Sequence, residues 1–498
     1  MPAKNMIKQP LFIMGLTITI LLVASLLPHD INILGVQVRH VDIISDLKQY
    51  DESEDDYYEE YKNTEDYFNN ESDDSSSDDG ALLENNSLKK YNYAEFSVLN
   101  KLSDLAQNFA ETESEKIDLY LSSANSKPKT SKEKIVGNLG QLKHFFEAVK
   151  KSKTEKIRVA HFGDSAIEGD LVTADLRENL QKKFGGNGVG FVSMTSQDIQ
   201  FRQTTKHTFS ENWKEGSLYG TNPDRLPLGI SGENFVPDAN DVWVQYETTT
   251  RYPYLRSFNT ARLLYSNAKN YSINYSFDNE PAKSARLERG EKIQELVLTT
   301  NRDAKKLHID IPNKDQAYFY GTLLENGNGV YVDNFPLRGN TGVDLSHLSV
   351  DVLKQFDSLL NYKLIILQFG LNAAGSVRSN YSWYEREMIN VINKLKEAFP
   401  NTSFLMLSVH DKSMKRGSNF VTDPSILKLL KTQINIAKET DIAFWNLFEA
   451  MGGKDSMPTW VNSNPPLAFR DYIHFNDQGA KKVADLLSDA LMEAYEKY

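Results

Sequence analysis

Short apolar runs alternate with helix-like stretches over two parts of this chain, and that alternation is the strongest constraint on its fold. The runs lie at 157–162, 364–369, 403–409 and 441–447, and the helix-like stretches at 170–184, 382–399, 425–439 and 477–496. Strands that alternate with helices favour a parallel sheet covered by helices on both faces. The sequence therefore predicts an α/β domain built from residues 156–200 and 327–498.

Reactive side chains follow the ends of these predicted strands. Gly163-Asp164-Ser165 comes directly after the first run, Gly370-Leu371-Asn372 directly after the second, and Asp471-Tyr472-Ile473-His474 lies near the C-terminus. Each motif alone is typical of a turn or a helix cap. Open α/β sheets, however, place their ligands at the carboxyl ends of strands, so we expect the three motifs to meet there. A serine, a histidine and an aspartate are the parts of a nucleophilic hydrolase, which indicates an esterase.

The same motifs, taken in order, resemble the four sequence blocks of the SGNH or GDSL-type hydrolases. The blocks are His161 to Ser165, Arg338-Gly339-Asn340-Thr341, Gly370 to Asn372, and Asp471 to His474. The longer string from Gly163 to Phe191 resembles the membrane-anchored and periplasmic peptidoglycan O-acetylesterases. The resemblance covers 150–205 and 325–498. It implies a three-layer, flavodoxin-like α/β fold.

This resemblance also implies a role for individual residues. Ser165 matches the family nucleophile, His474 the general base that takes its proton, and Asp471 the carboxylate that orients the imidazole. The oxyanion donors would be the backbone N–H groups of Ser165 and Gly339 and the side-chain amide of Asn372.

Three details of the match stay open. Gly342 competes with Gly339 for the second block. The family often has Asp where this chain has Ala373, and many of the peptidoglycan esterases carry His where this chain has Ala166. Neither alanine is a triad position, so both departures concern the substrate and not the chemistry.

The stretch 201–326 has a different sequence pattern, in which short runs of alternating apolar and polar residues are separated by turn residues. These runs are Val242 to Tyr246, Arg262 to Tyr265, Tyr271 to Phe277, Leu296 to Leu298, Leu307 to Ile311 and Ala317 to Gly321. Alternation of this kind predicts an antiparallel β-sandwich inserted into the α/β domain. The related peptidoglycan esterases carry a similar insert that is like a carbohydrate-binding module.

The N-terminus predicts the location of the protein. Leu11 to Leu27 is an apolar run close to the shortest length that spans a bilayer, and Lys4 and Lys8 precede it. We interpret residues 1–30 as a membrane anchor, with a cleaved signal peptide as the alternative. The body would then lie in the periplasm, attached to the inner membrane or released from it.

An acidic segment follows the apolar run. Asp51 to Asp79 holds fourteen acidic residues and only Lys62 as a base, so its formal charge of −13 exceeds the −12 of the whole chain. So little aliphatic content cannot bury a core, which predicts a disordered linker over 31–95. This linker would act as a tether between membrane and catalytic body.

Two helical stretches are expected between the linker and the first strand, over 93–121 and 131–151. In the second, Ile135, Leu139, Leu142, Phe146 and Val149 recur at helical spacing. Residues 96–155 therefore read as a helical lead-in that packs on the catalytic sheet.

Composition excludes several function classes. The chain has no cysteine, so disulfides, thiolate catalysis and cysteine-based zinc sites are absent. The nine histidines show no His-Glu-x-x-His spacing. Interleaved basic patches for nucleic acid are missing as well. No cofactor and no metal is expected.

Three functions remain at this level. The first is an anchored esterase that removes O-acetyl groups from a cell-wall polysaccharide, with peptidoglycan as the substrate that the resemblance implies. The second uses the same triad to transfer an acetyl group to an exported polysaccharide. The third is a glycan-binding scaffold without catalysis, against which the complete set of motifs argues.

Overall fold

The structure is a computed structural model that describes residues 32–33, 36–37, 64–69, 128–196, 202–269, 271–314, 317–375 and 380–498. The predicted anchor at Leu11 to Leu27 and the predicted helix over 93–121 lie outside these residues. Within the described ranges, every helix is too short or too polar to cross a bilayer.

The strands of the described ranges are, in chain order, β1 (Asn32–Ile33), β2 (Val36–Gln37), β3 (Ile135–Gly137), β4 (Lys156–Gly163), β5 (Asn187–Val192), β6 (Thr205–Phe209), β7 (Trp213–Ser217), β8 (Glu233–Pro237), β9 (Val242–Thr248), β10 (Phe258–Ser266), β11 (Ser272–Phe277), β12 (Lys283–Arg286), β13 (Gln294–Ala304), β14 (Lys306–Ile311), β15 (Tyr318–Asn326), β16 (Gly329–Pro336), β17 (Tyr362–Gln368), β18 (Ser403–Leu407), β19 (Ser413–Arg416), β20 (Asn419–Thr422) and β21 (Ala443–Trp445).

The helices are α1 (Thr64–Asn69), α2 (Lys143–Val149), α3 (Thr173–Phe184), α4 (Val350–Leu360), α5 (Ser382–Ala398), α6 (Pro424–Glu439), α7 (Leu447–Ala450), α8 (Ser456–Asn462) and α9 (Asp477–Lys497). Short 3-10 segments add Leu139–Leu142, Ser165–Asp170 and Val343–His347.

A six-stranded sheet forms the centre of the α/β part, in the order β16-β4-β17-β18-β21-β3. Its first five strands are parallel, and β3 pairs antiparallel with β21 at the edge. Residues 157–163 of β4 are all buried, as expected for a central strand with helices on both faces. On one face of the sheet, side chains of α2, α3 and α9 share an apolar core with the strands. Helices α4, α5 and α6 pack on one another in succession, α4 on α5 and α5 on α6. The predicted α/β class is confirmed.

Two antiparallel sheets are inserted between β4 and β16. One has the order β13-β10-β15-β8-β7 with β5 paired to β15, and the other has the order β12-β11-β14-β9-β6. Their inner faces share one apolar core, to which Phe258, Leu263 and Phe319 contribute from the first sheet and Val244 and Ile309 from the second. β5 lies in the stretch 156–200 that the sequence pattern groups with the catalytic strands, yet it pairs with the inserted sheet.

A buried ion cluster joins the two parts. The Arg158 guanidinium on β4 donates to both carboxylate oxygens of Asp333 on β16, with Nε 2.9 Å from Oδ2, and also contacts Glu325 on β15. The Tyr362 hydroxyl donates to Asp333 over 2.7 Å. Buried charges of this kind are tolerated because each is paired and hydrogen-bonded, and they fix the relative register of the strands that carry them.

Two further sheets of the described residues consist of one antiparallel pair each. β1 and β2 pair with Asn32 opposite Gln37, and β19 and β20 form a two-stranded hairpin. The six-stranded sheet and the inserted sheets belong to one compact unit that comprises the described residues of 61–414 and 422–498.

The predicted helix over 131–151 is wrong in its first part. Ile135 to Gly137 form strand β3, a 3-10 turn follows, and α2 begins only at Lys143. Of the apolar residues at helical spacing, Ile135, Leu142, Phe146 and Val149 are core residues, whereas Leu139 is exposed. Ile135 reaches the core from a strand that hydrogen-bonds to the edge of β21. Tertiary pairing with a free sheet edge outweighs the local helical period.

The predicted disorder of the acidic linker is wrong for residues 64–69. These residues form α1, where Thr64 accepts a 2.7 Å hydrogen bond from the Asn446 side-chain amide and Phe68 lies 5.9 Å, ring to ring, from Phe444. Glu65 pairs with Lys134 at 3.0 Å. An aromatic contact, a buried hydroxyl and an exposed ion pair thus connect this short helix to β3 and to the end of β21. Apart from α1 and the β1–β2 pair, the linker lies outside the described residues.

Candidate active site

A cleft of about 590 Å³ opens at the carboxyl ends of the central strands. It is lined by residues of the turn after β4, of the segment before β6, of the loops after β16, β17 and β18, and of the segment that leads into α9: Ser165, Ala166, Glu168, Leu171, Gln203, Arg338, Gly339, Asn372, His410, Phe469, Asp471, His474, Phe475 and Asp477. Every residue that the sequence predicts as catalytic or as an oxyanion donor lies in this list.

The turn that carries Ser165 is set by tight packing behind it. A side chain at Gly163 would come within 2.9 Å of the Gln368 carbonyl on β17, so the last residue of β4 must be glycine for the strands to approach. Asp164 is buried and accepts a 3.0 Å hydrogen bond from the Ala166 N–H, which starts the 3-10 turn. Ser165 is therefore held at the cleft by the backbone on either side of it.

The predicted triad is assembled in hydrogen-bonding order. The Ser165 hydroxyl lies 3.2 Å from His474 Nε2, and His474 Nδ1 lies 2.8 Å from Asp471 Oδ2. Because a carboxylate only accepts, His474 Nδ1 carries the proton of that bond, and Nε2 is left to accept from the serine. These distances meet the geometric condition for a nucleophile, a base and an orienting carboxylate.

Asp471 also shapes the loop on which it sits. Its Oδ1 accepts from the backbone N–H groups of Ile473 and His474, at 2.9 and 3.0 Å. Partial burial alone would raise the pKa of Asp471, but the hydrogen bonds from the His474 side chain and from these two N–H groups hold that pKa below its usual range. Asp471 is thus a carboxylate at neutral pH, able to accept from His474 Nδ1.

The predicted oxyanion donors Gly339 and Asn372 line the same cleft as Ser165. Gly339 has a left-handed φ of 73° with open space where a side chain would be, and it lines the cleft. The Asn372 amide donates to the Asn340 carbonyl at 3.0 Å, which fixes its plane while leaving its second N–H free to turn to the cleft. Gly342 does not compete, because its N–H donates to the Asn340 side chain at 2.7 Å and its backbone packs on Phe369.

His410 is a site residue that the sequence reasoning missed. It follows β18, as Ser165 and Asn372 follow their strands, and this position was the available signal. Its imidazole Nε2 donates to the Ile473 carbonyl at 2.9 Å, and its ring lies 4.2 Å from that of Phe475. Burial lowers the pKa of His410 to about 4, more than the bond to Ile473 raises it. The neutral side chain therefore ties the catalytic loop to the sheet.

Charged and polar groups form the rim of the cleft, and the inserted sheets contribute to it. Arg338 lies 3.4 Å from Glu168, and Asp477 at the start of α9 accepts from Arg251 at 3.0 Å and from Gln203. Arg251 and Gln203 belong to the insert, so no local pattern near the triad could have indicated them. Through Gln203 the insert contributes a side chain to the cleft.

Asp164 places a second carboxyl beneath the triad. Burial raises its pKa to about 6, although hydrogen bonds from the Ala166 and Leu371 backbones and the proximity of His474 act in the opposite direction. The same carboxyl thus links the nucleophile turn to the loop that carries Asn372. Its role is to hold the two loops in register.

The assembled groups suit acyl transfer from an ester. A hydroxyl beside an imidazole can attack a carbonyl carbon, and N–H donors that converge on one point can stabilise the charge that develops on oxygen. Among the described residues, no group of three or more histidine and carboxylate side chains is arranged to hold a metal ion.

Comparison with solved structures shows which fold this is. The chain is similar to a peptidoglycan O-acetylesterase, with a TM-score of 0.61 and 20% identity over 74% of this chain and 100% of the other. A family two carbohydrate esterase from Cellvibrio japonicus matches with a TM-score of 0.24 and 8% identity over 59% of this chain and 98% of that one. An acetyl xylan esterase matches with a TM-score of 0.25 and 21% identity over 32% and 81%.

Only the first of these likenesses is close enough to carry an argument, and at its level of identity it shows a shared fold. No family model matches the chain, and no curated protein sequence does.

Proposed function

We propose that this chain is an SGNH-type serine esterase that removes O-acetyl groups from a cell-wall glycan, with peptidoglycan as its substrate. The observation that carries the proposal is the continuous hydrogen-bonded series from Ser165 through His474 to Asp471 in an open cleft, with Gly339 and Asn372 beside it. The fold shared with a peptidoglycan O-acetylesterase supports the choice of substrate.

The first half of the reaction forms an acetyl-enzyme. The Ser165 oxygen attacks the acetyl carbonyl carbon while its proton passes to His474 Nε2, and the carbonyl electron pair moves to oxygen. The N–H groups of Ser165 and Gly339 and the amide of Asn372 stabilise that oxyanion. Collapse of the intermediate breaks the bond to the sugar oxygen, which takes the proton from His474 and leaves as the free hydroxyl.

The second half resolves the acetyl-enzyme. Water gives a proton to His474 and attacks the acetyl carbon, the bond to Ser165 breaks, and acetate leaves as the serine recovers its proton. A sugar hydroxyl in place of water would give acetyl transfer by the same groups. Since the cleft is open to solvent on the side of His474 and Asp471, water has direct access, and this favours hydrolysis.

Acetate release from polymers tests the proposal directly. The full-length chain is incubated with O-acetylated peptidoglycan and, in parallel, with acetylated xylan, and free acetate is measured. We expect faster release from peptidoglycan. Ser165→Ala should lower the rate by about 10⁴-fold or more, because members of a triad act as one unit. Ser349→Ala is the matched control, since it removes the cap of α4 outside the cleft and should leave the rate unchanged.

Two results would contradict the proposal. Activity of Ser165→Ala within tenfold of the wild type would remove the serine from the mechanism. Loss of acetyl groups from the donor without free acetate, and with acetyl gained by added glycan, would make the protein a transferase.

We further propose that residues 1–30 anchor the protein in the inner membrane, so that the esterase acts in the periplasm on the wall. The apolar run Leu11 to Leu27 and the preceding Lys4 and Lys8 support this location. Membrane fractionation tests this location, and the mass of the mature protein shows whether its N-terminal residues have been cleaved off. Recovery in the soluble fraction with the first residues missing would favour signal cleavage.

A further inference from the structure

Phe469 is the one large apolar side chain that stands in solvent at the cleft. Six large hydrophobic residues of the described ranges are exposed, namely Leu139, Val297, Met414, Phe420, Phe469 and Tyr498, and Phe469 is the most exposed of them at 54%. A single exposed hydrophobe needs no explanation by itself. Of these six, however, only Phe469 lines the cleft that contains the triad.

The backbone of Phe469 is held in place by hydrogen bonds, while its ring is exposed. Its backbone N–H donates to the His474 carbonyl at 2.9 Å, and its carbonyl accepts from the Tyr472 N–H at 3.1 Å. The neighbouring Ala468 and Phe475 are buried and form an isolated bridge beneath the loop. The backbone bonds and these two side chains fix the loop, so a polar residue at 469 would serve its folding equally well.

The surroundings of the ring fit a sugar better than an acetyl group alone. An acetyl group occupies a small fraction of a cleft of about 590 Å³, and clefts of this size accommodate ligands of several rings. The cleft is lined by apolar rings, the exposed Phe469 and the buried Phe475, and by the polar side chains of Arg338, Gln203 and Asp477. Aromatic faces bind the apolar faces of rings, while the polar groups can satisfy hydroxyls.

We propose that Phe469 is a substrate-binding residue whose ring stacks on a pyranose ring of the acetylated glycan and holds the ester over Ser165. This inference rests on the proposed function, because it names how the same site recognises its polymer. Since the loop that carries Phe469 also carries Asp471 and His474, stacking brings the sugar and the general base together.

Kinetics on two substrates test the inference. The full-length wild type and Phe469→Ala, Phe469→Leu and Phe469→Trp are compared on soluble O-acetylated glycan-strand fragments and on 4-nitrophenyl acetate. We expect Phe469→Ala to lose about tenfold more kcat/KM on the glycan than on the small ester, mainly through KM, because stacking is made equally in the ground and transition states. Phe469→Trp should keep the wild-type ratio of kcat/KM on the glycan to kcat/KM on the small ester. Phe469→Leu should lose most of that ratio, because leucine lacks an aromatic face.

Tyr498→Ala is the matched control, since it removes an equally exposed aromatic ring that does not line the cleft. It should leave both activities unchanged. Equal losses of Phe469→Ala on the two substrates would overturn the inference, as would no loss on the glycan.

A binding measurement separates this inference from the proposed function. In the Ser165→Ala background, the affinity for the glycan fragments is compared with and without Phe469→Ala. If Phe469→Ala weakens glycan binding about tenfold but the wild type releases no acetate, Phe469 is a glycan-binding residue and the proposed esterase activity is wrong. If the wild type releases acetate from the glycan but Phe469→Ala does not change the binding affinity, the esterase proposal stands and the role of Phe469 in glycan binding is wrong.

Discussion

The turn that carries Ser165 and the loop that carries Asp471 and His474 meet in one cleft, but the first is buried against the sheet and the second stands in solvent. Asp164 and Ala166, on either side of the serine, are 2% and 6% exposed. The side chains of Asp471 and His474 are 43% and 41% exposed.

The two halves of the site are therefore stabilised differently. The serine turn is part of the packed core, so its geometry is fixed when the sheet folds. The base loop is fixed by hydrogen bonds: the Ile473 carbonyl accepts from His410, and the Tyr472 carbonyl accepts from the Ser413 N–H at 3.0 Å. Changes in the loop should thus affect turnover with little change in stability, whereas changes behind the serine should affect stability first.

The largest effect in this comparison is expected from Asp471→Asn. An amide at this position cannot hold His474 Nδ1 as a donor with the same strength, so the imidazole adopts the wrong tautomer more often. We expect kcat to fall by about 10³- to 10⁴-fold, measured with 4-nitrophenyl acetate. The melting temperature should stay close to that of the wild type because the side chain is half exposed. A large fall in melting temperature would mean that the loop is part of the folding core.

Asn372→Ala should have the next largest effect. Loss of one oxyanion donor is expected to lower kcat by about 10²- to 10³-fold with little change in KM. Asn361→Ala is the matched control, since Asn361 ends α4 at a left-handed φ of 50°, lies outside the cleft, and accepts a hydrogen bond from Lys363. The control should lose stability and keep its turnover. If Asn372→Ala behaves like the control, Asn372 is a turn former and not a donor.

A smaller effect is expected from His410→Phe. The phenyl ring can still pack on Phe475, but the hydrogen bond to the Ile473 carbonyl is lost. We expect kcat to fall by about tenfold at a nearly constant KM, because the base loop then samples positions in which His474 is too far from Ser165. An unchanged kcat would show that the remaining bonds hold the loop without His410.

The same variant should change the dependence of stability on pH. The pKa of His410 is lowered to about 4 in the folded protein, so the unfolded chain takes up a proton that the folded chain does not between about pH 6.5 and 4. The wild type therefore loses stability as the pH falls through this window, and His410→Phe should lose less. Denaturant unfolding at pH 7 and pH 5 measures the difference.

The smallest effect on turnover is expected from Asp164→Asn, which tests the buried half. Because the pKa of Asp164 is raised to about 6, the folded protein holds a proton that the unfolded chain releases between about pH 4 and 6. The stability contributed by this proton is present at low pH and is lost as the pH rises through that window. The asparagine has no such proton, so its free energy of unfolding should fall less between pH 4 and 7. Equal slopes for the two proteins would place Asp164 in a more solvated position than the structure does.

Much of the catalytic sheet could be predicted from the chain alone. The strands that begin at Lys156 and Ser403 and the helices over Ser382–Ala398 and Pro424–Glu439 agree with the predicted elements within about two residues at most ends. Their local patterns are strong because each strand is buried on both faces and each helix on one. By contrast, β3 was mistaken for helix, since its partner β21 lies about 300 residues away in sequence and no local signal reports such pairing.

The order of the motifs along the sequence was enough to predict which side chains would share one cleft. Ser165, Asn372, Asp471 and His474 were expected to meet because chain ends of parallel strands share one edge of a sheet. Only the tertiary structure decided between Gly339 and Gly342, brought His410 to the base loop, and placed Phe469 in solvent beside the triad. The physical reason is range: side-chain type and period act over a few residues, whereas hydrogen-bond partners and burial depend on segments that folding brings together from hundreds of residues apart.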